Sequence, residues 1–258
     1  MLSPLVSLLA AATAALATGV IVPLYVWPEG TNCGVWGPLF DVISAHPSTL
    51  FYIIINPDSG PVVSPDPVFQ TCIPRLKAAS SQVITVGYVR TGYGSQSDST
   101  VNDAVQQYAN WGSAWRPQGI FFDEVEPSAD LLPTYTAWAN NARAAFSGGH
   151  VVLNPGATVG SQTGYFNIAD LIITAENLYS DFSPSQLTFS SSSPASKQGV
   201  ILTDAPSSPP ASLINSLVGT DGLGSLYITD DSQLNGANPY DTLPTQFSTF
   251  VSLVDADS

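Results

Sequence analysis

Basic residues are scarce: six Lys and Arg stand against 20 Asp and Glu, for a formal net charge of −14. Such a chain repels nucleic-acid phosphates, so no nucleic-acid partner is expected, and a neutral or cationic partner fits better. Histidine is scarcer still. His46 and His150 fall in separate segments without ligand spacing, leaving little material for a histidine-based zinc site or a Ser-His-Asp triad. No metal and no organic cofactor is expected. Beyond residue 19 no apolar run is long enough to span a bilayer, no Asn-x-Ser/Thr sequon occurs, and no low-complexity linker divides the chain. The ending Val254-Asp-Ala-Asp-Ser258 lacks the apolar tail of a glycolipid-anchor signal.

The first nineteen residues, MLSPLVSLLAAATAALATG, are apolar and small and contain Ala15-Leu16-Ala17, which fits a secretory signal peptide over residues 1–17. No Lys or Arg precedes the apolar stretch, a departure from the usual pattern. The mature chain is then 18–258, expected as one domain, monomeric, and released into the medium or loosely associated with a cell wall. In an exported protein the only two cysteines, Cys33 and Cys72, read first as a disulfide. Closing that loop contributes about 3–4 kcal/mol.

Apolar, β-branched runs recur at 20–26, 50–56, 82–89, 119–123, 150–154, 171–175, 199–203 and 224–229. Helical spacing follows at 35–45, 67–79, 101–115, 131–146, 162–168, weakly at 183–187, and at 209–217 and 243–254. Eight repeats of strand then helix predict a single (β/α)8 barrel. Asp66 before Pro67 predicts an N-cap, Ser99 or Thr100 a second one, and Pro74 a kink or restart. The Ser-rich stretch 188–196 predicts a surface loop in place of a full sixth helix.

In (β/α)8 enzymes chemistry sits at the C-terminal ends of the strands. Read off there, the residues are Tyr25 and Trp27, Asn56, Tyr88 and Arg90, Asp123 and Glu124, Asn154, Glu176, Asp204, and Asp230 with Asp231. Gly119-Ile-Phe-Phe-Asp-Glu-Val-Glu126 runs an apolar strand into three carboxylates, and Leu171-Ile-Ile-Thr-Ala-Glu176 ends another in an acid. The bland alternative makes Asp123 a helix cap and the two glutamates solvated. Because alternate strands share an interior layer, however, Asp123 and Glu176 are expected to converge, and two convergent carboxylates are the minimal equipment for glycoside hydrolysis. Asp123 is assigned as nucleophile or base, Glu176 as acid/base and Glu124 as a supporting group. Tyr25, Trp27, Tyr88, Tyr93 and Tyr227 offer flat faces to sugar rings, while Arg90, Asn154 and Asn177 offer directional hydrogen bonds.

Val22-Pro-Leu-Tyr-Val-Trp-Pro, Ile54-Ile-Asn-Pro57, Gly87-Tyr-Val-Arg-Thr91, Gly119-Ile-Phe-Phe-Asp-Glu124 and Asn154-Pro-Gly156 together resemble the spherulin-4-like (spherulation-specific family 4) proteins. The resemblance spans nearly the whole mature chain. It implies a secreted barrel of the glycoside hydrolase family 135 type, acting as an endo-α-1,4-galactosaminidase on polymers of galactosamine and N-acetylgalactosamine such as galactosaminogalactan. It implies a retaining mechanism, with the family's Asp-Glu pair and later Glu falling on Asp123, Glu124 and Glu176. Two other readings compete: a wall-associated carbohydrate-binding protein without catalysis, and a chitinase-like hydrolase that uses its substrate's acetamido group.

Overall fold

The computed structural model describes residues 17–258; apart from Ala17, the expected leader lies outside the described residues. Eight strands, β1 Gly19–Leu24, β2 Phe51–Ile55, β3 Val83–Arg90, β4 Gly119–Asp123, β5 His150–Leu153, β6 Leu171–Leu178, β7 Gln198–Thr203 and β8 Ser225–Ile228, follow one another around a ring. Every neighbouring pair is parallel and β1 closes on β8, so the architecture is a single (β/α)8 barrel. Val, Ile and Leu dominate these strands because side chains on both faces are covered, one by the barrel interior and the other by helices.

The helical layer comprises α1 Gly37–Ala45, α2 Pro67–Ala79, α3 Asp98–Ala109, α4 Leu132–Ala145, α5 Tyr165–Ile168, α6 Ala211–Asn215 and α7 Phe247–Asp257. Asp66 caps α2 as expected, accepting the Val68 N–H at 2.9 Å. Of the kink or restart expected at Pro74 the restart does not occur, and the helix runs on as one element. Buried Phe69, Cys72, Ile73 and Leu76 hold both of its halves against the barrel. The cap of α3 is Ser97, which accepts the Thr100 N–H, rather than Ser99 or Thr100. That helix also stops at Ala109, well short of residue 115, as the Trp111 indole turns to donate to the Val62 carbonyl. Between β6 and β7 the chain makes only 3-10 turns, including Tyr179–Asp181 and Pro184–Gln186, so the Ser-rich segment does replace a sixth full helix.

Cys33 and Cys72 are bonded, tying the β1–α1 loop to α2. Among the described residues no helix is long and apolar enough to cross a membrane.

One irregularity positions the site. β6 pairs with β7 as Ile173 with Gly199, then Ala175 with Val200 and Glu176 with Ile201, so a bulge absorbs Thr174. Gly199 and Ile201 share a face, and Ile201 lines the barrel mouth. Ile173 and Glu176 therefore face the same way although three residues apart. Strict alternation would have set Glu176 on the opposite face from Ile173.

Candidate active site

At the C-terminal ends of the strands lies a cavity of about 440 Å3, and Asp123, Glu124 and Glu176 all line it. Asp123 ends β4 on the interior face, two residues after Phe121. Glu124 follows with a positive φ of 54°, a left-handed turn that stops the strand at once and lets adjacent acids both reach the cavity. Its carboxylate pairs with Arg90 at 2.7 Å on the rim.

The two deeper acids are linked through one amide. Asn154, just beyond β5, donates from Nδ2 to Asp123 Oδ1 at 2.8 Å and to Glu176 Oε2 at 2.7 Å. Its Oδ1 accepts the Gly156 N–H at 3.0 Å, which fixes the orientation of the amide. The outer oxygens each take a tyrosine: Tyr88 donates to Asp123 Oδ2 at 2.7 Å, and Tyr240 donates to Glu176 Oε1. Tyr25 stands edge-on to both tyrosine rings, with centroids 5.7 Å from Tyr88 and 5.4 Å from Tyr240.

Burial raises the proton affinity of both acids above the ordinary carboxylate value, and each is raised further by charge nearby, Glu124 acting on Asp123 and Asp123 on Glu176. Hydrogen bonds oppose this, and unequally. Asp123 is held down by Tyr88, by the Glu124 backbone N–H and by Asn154, whereas Glu176 has only Tyr240 and Asn154. Both acids therefore hold a proton to higher pH than a free carboxyl group does. Burial, followed by the nearby carboxylates, also pushes the hydroxyls of Tyr25 and Tyr88 up, and burial and Glu176 do so for Tyr240. All three phenols remain protonated donors.

The other expected site residues are distributed unevenly. Tyr25 and Tyr93 line the cavity, and Tyr93 is 61% exposed at its edge. Tyr88 works by bonding Asp123, and Arg90 by pairing with Glu124. Asn154 lines the cavity too, 6% exposed, with its amide bonded to both acids and to the Gly156 N–H. Trp27, 48% exposed, packs edge-on to Phe69 at 4.9 Å outside the cavity, and Asn177 does not line it either. Tyr227 requires correction. It is 0% exposed, beside Phe250 and Tyr240, with no face free to stack on a sugar.

Asp204, Asp230 and Asp231, placed in the ring by sequence, anchor the β8–α7 loop instead. Asp204 accepts from Ser232 at 2.6 Å and from the Gln233 N–H, Asp231 accepts from Thr242 at 2.7 Å, and Asp230 accepts the Thr245 N–H. This loop carries Tyr240, which no strand-end reading could find because it lies well beyond the end of β8. Elsewhere, His46 bonds Asp255 at 3.0 Å and lies 3.2 Å from Ser252 Oγ, in the order of a Ser-His-Asp triad. Ser252 sits mid-helix and bonds the Ser248 carbonyl, without amide donors for an oxyanion, so the cluster joins α1 to α7.

A barrel whose mouth sets two half-buried carboxylates side by side under an aromatic wall is a carbohydrate-active barrel with a glycosidase-like fold. The chain belongs to the family described as Spherulation-specific family 4, whose sequence pattern matches residues 19–254, and it is a spherulin-4-like protein of the glycoside hydrolase family 135 type. Spherulin-4 of Physarum polycephalum is 29% identical over 265 residues, covering 98% of this chain and 75% of that protein. The crystal structure of Aspergillus clavatus Sph3 in complex with GalNAc superimposes with a TM-score of 0.78 at 30% identity, covering 93% of this chain and 98% of that one.

Proposed function

We propose that the protein is a secreted glycoside hydrolase that cleaves α-1,4-linked galactosamine and N-acetylgalactosamine polysaccharide, such as galactosaminogalactan, with retention of configuration. The observation that carries this reading is the shared Asn154 nitrogen. A single atom 2.8 Å from one carboxylate oxygen and 2.7 Å from the other keeps those oxygens within reach of the same anomeric centre. Such closeness suits the roughly 5–5.5 Å carboxyl separation of retaining enzymes rather than the 6.5–9.5 Å of inverting ones. The GalNAc bound in the Aspergillus relative supports the choice of sugar. The disulfide fits an oxidising, extracellular compartment and so supports export.

In this mechanism Asp123 attacks the anomeric carbon while Glu176 gives its proton to the departing glycosidic oxygen. The result is a glycosyl ester on Asp123 and a new sugar hydroxyl. Glu176, now ionised, takes a proton from water, whose oxygen attacks the anomeric carbon and frees Asp123. Glu124, tied to Arg90, keeps negative charge at the cavity edge.

Reducing-end release from galactosaminogalactan by the mature protein tests this reading. Wild type is expected to cleave, and Asp123→Asn and Glu176→Gln to lose activity by at least about a thousandfold while remaining folded. Continued cleavage by either variant would remove that residue from its role, and inert wild type would leave a carbohydrate-binding protein.

A further inference from the structure

Asn154 serves both acids alike and cannot distinguish them, whereas the tyrosines are private. Tyr88 reaches Asp123 from β3, a strand fixed on both sides in the barrel. Tyr240 reaches Glu176 from the β8–α7 loop, which is pinned by Asp204, Asp230 and Asp231. Tyr25 packs edge-on against both rings at the cavity wall.

Resting on the hydrolase reading above, we infer that Tyr240 and Tyr88 are paired positioning residues, Tyr240 holding Glu176 as the proton-delivering group and Tyr88 holding Asp123 as the attacking one. The anchored loop exists, in this view, to deliver a hydroxyl to Glu176. Asp204, Asp230 and Asp231 act on catalysis only through it. The groups facing the pair are few. Glu176 faces Asp123, Tyr25 and Tyr240; Asp123 faces Glu176, Glu124 with Arg90 behind it, Tyr25, Tyr88 and, without a hydrogen bond, Tyr240. A phenol donating to a carboxylate favours its ionised form, so loss of either hydroxyl makes its own acid hold a proton to higher pH.

The test compares Tyr240→Phe and Tyr88→Phe in the full mature chain, since phenylalanine keeps the ring packing. Carboxyl carbon NMR of Asp- and Glu-labelled protein follows both acids without turnover, and kcat/KM on an N-acetylgalactosamine oligosaccharide is measured across pH. In Tyr240→Phe the Glu176 resonance should titrate higher, with the basic limb of kcat/KM moving up. In Tyr88→Phe the Asp123 resonance and the acidic limb should move up instead. Each variant should lose about tenfold or more in kcat with KM changed less than twofold. Asp231→Ala, which frees Thr242 and loosens the loop, should reproduce part of the Tyr240→Phe shift. Resonances that stay in place, or two variants that move the same acid, would overturn the inference. Wild type without turnover would defeat the hydrolase reading alone, because the NMR arm still decides whether each tyrosine governs one acid.

Discussion

Glu176 illustrates what withdrawing a carboxyl group from water costs the residue that carries it. Its burial, larger than the opposing hydrogen bonds from Tyr240 and Asn154, raises its proton affinity in the folded protein. The folded state therefore binds a proton that the unfolded chain has already released once pH exceeds the ordinary carboxylate value. Stability accordingly falls as pH rises through the window between the unfolded value and the raised folded one, and stays reduced above it. Glu176→Gln should relieve this, because its Oε1 can accept from Asn154 while its amide donates to Tyr240. At pH 7–8 the variant is expected to be more stable than wild type by about 1 kcal/mol, or roughly 2–4 °C in Tm. Thermal denaturation across pH should show the advantage disappearing as pH falls below the ordinary carboxylate value. An advantage unchanged at low pH would mean that packing, not ionisation, is responsible.

Two strands are shaped so that Asp123, which ends β4, and Glu176, near the end of β6, meet. On β6 the bulge at Thr174 exchanges inside for outside, and so turns Glu176 into the barrel. On β4 the constraint sits at the opposite end. A Cβ at Gly119 would fall 2.1 Å from the His150 carbonyl oxygen and 2.6 Å from its nitrogen, both backbone atoms that cannot rotate away. Glycine lets β4 lie against β5 there, in the register that places Asp123 beside Asn154. Gly119→Ala is expected to destabilise the fold by about 1–3 kcal/mol through overpacking, read by denaturant unfolding. Because the displaced strand is the one that carries Asp123, kcat should fall as well, more than the unfolded fraction explains.

Charge is arranged across the whole barrel, not merely in excess. Lys77, Arg116, Arg143 and Lys197 lie at the end where strands begin, and Arg75 lies mid-helix. At the mouth Arg90 pairs with Glu124, and Arg75 reaches the β1–α1 loop to donate to the Asn32 carbonyl at 2.7 Å. Around that mouth the strand-to-helix loops carry Glu29, Asp58, Glu126, Asp204, Asp230 and Asp241, besides the site's own acids. A charge kept for solubility alone has no reason to favour one end, whereas a one-sided field draws in a cationic polymer. With partly de-N-acetylated galactosaminogalactan, KM is expected to rise about tenfold between 50 and 500 mM NaCl as screening shortens. A fully N-acetylated, neutral oligosaccharide should show little salt dependence. Equal dependence for both would assign the charge to solubility.

The sequence by itself determined the barrel, because eight β-branched runs buried on both faces and separated by helical spacing fit no other closed arrangement as well. All eight runs became strands to within a few residues. It also brought forward Asp123, Glu124 and Glu176, which line one cavity because a strand's end is a fixed place in this architecture, and the disulfide, since only two cysteines were available. Only the tertiary structure decided what surrounds those acids. The bulge that re-aims Glu176 depends on how β6 registers with β7, a property of two strands rather than of either one. Tyr240 enters the site from a loop whose path depends on acids that a strand-end reading assigns to chemistry. Asn154 and Tyr227, equal candidates as residues, part ways because one amide lies between two carboxylates and one ring is fully enclosed. Spacing along a chain records local geometry, and these outcomes rest on contacts between segments far apart in sequence.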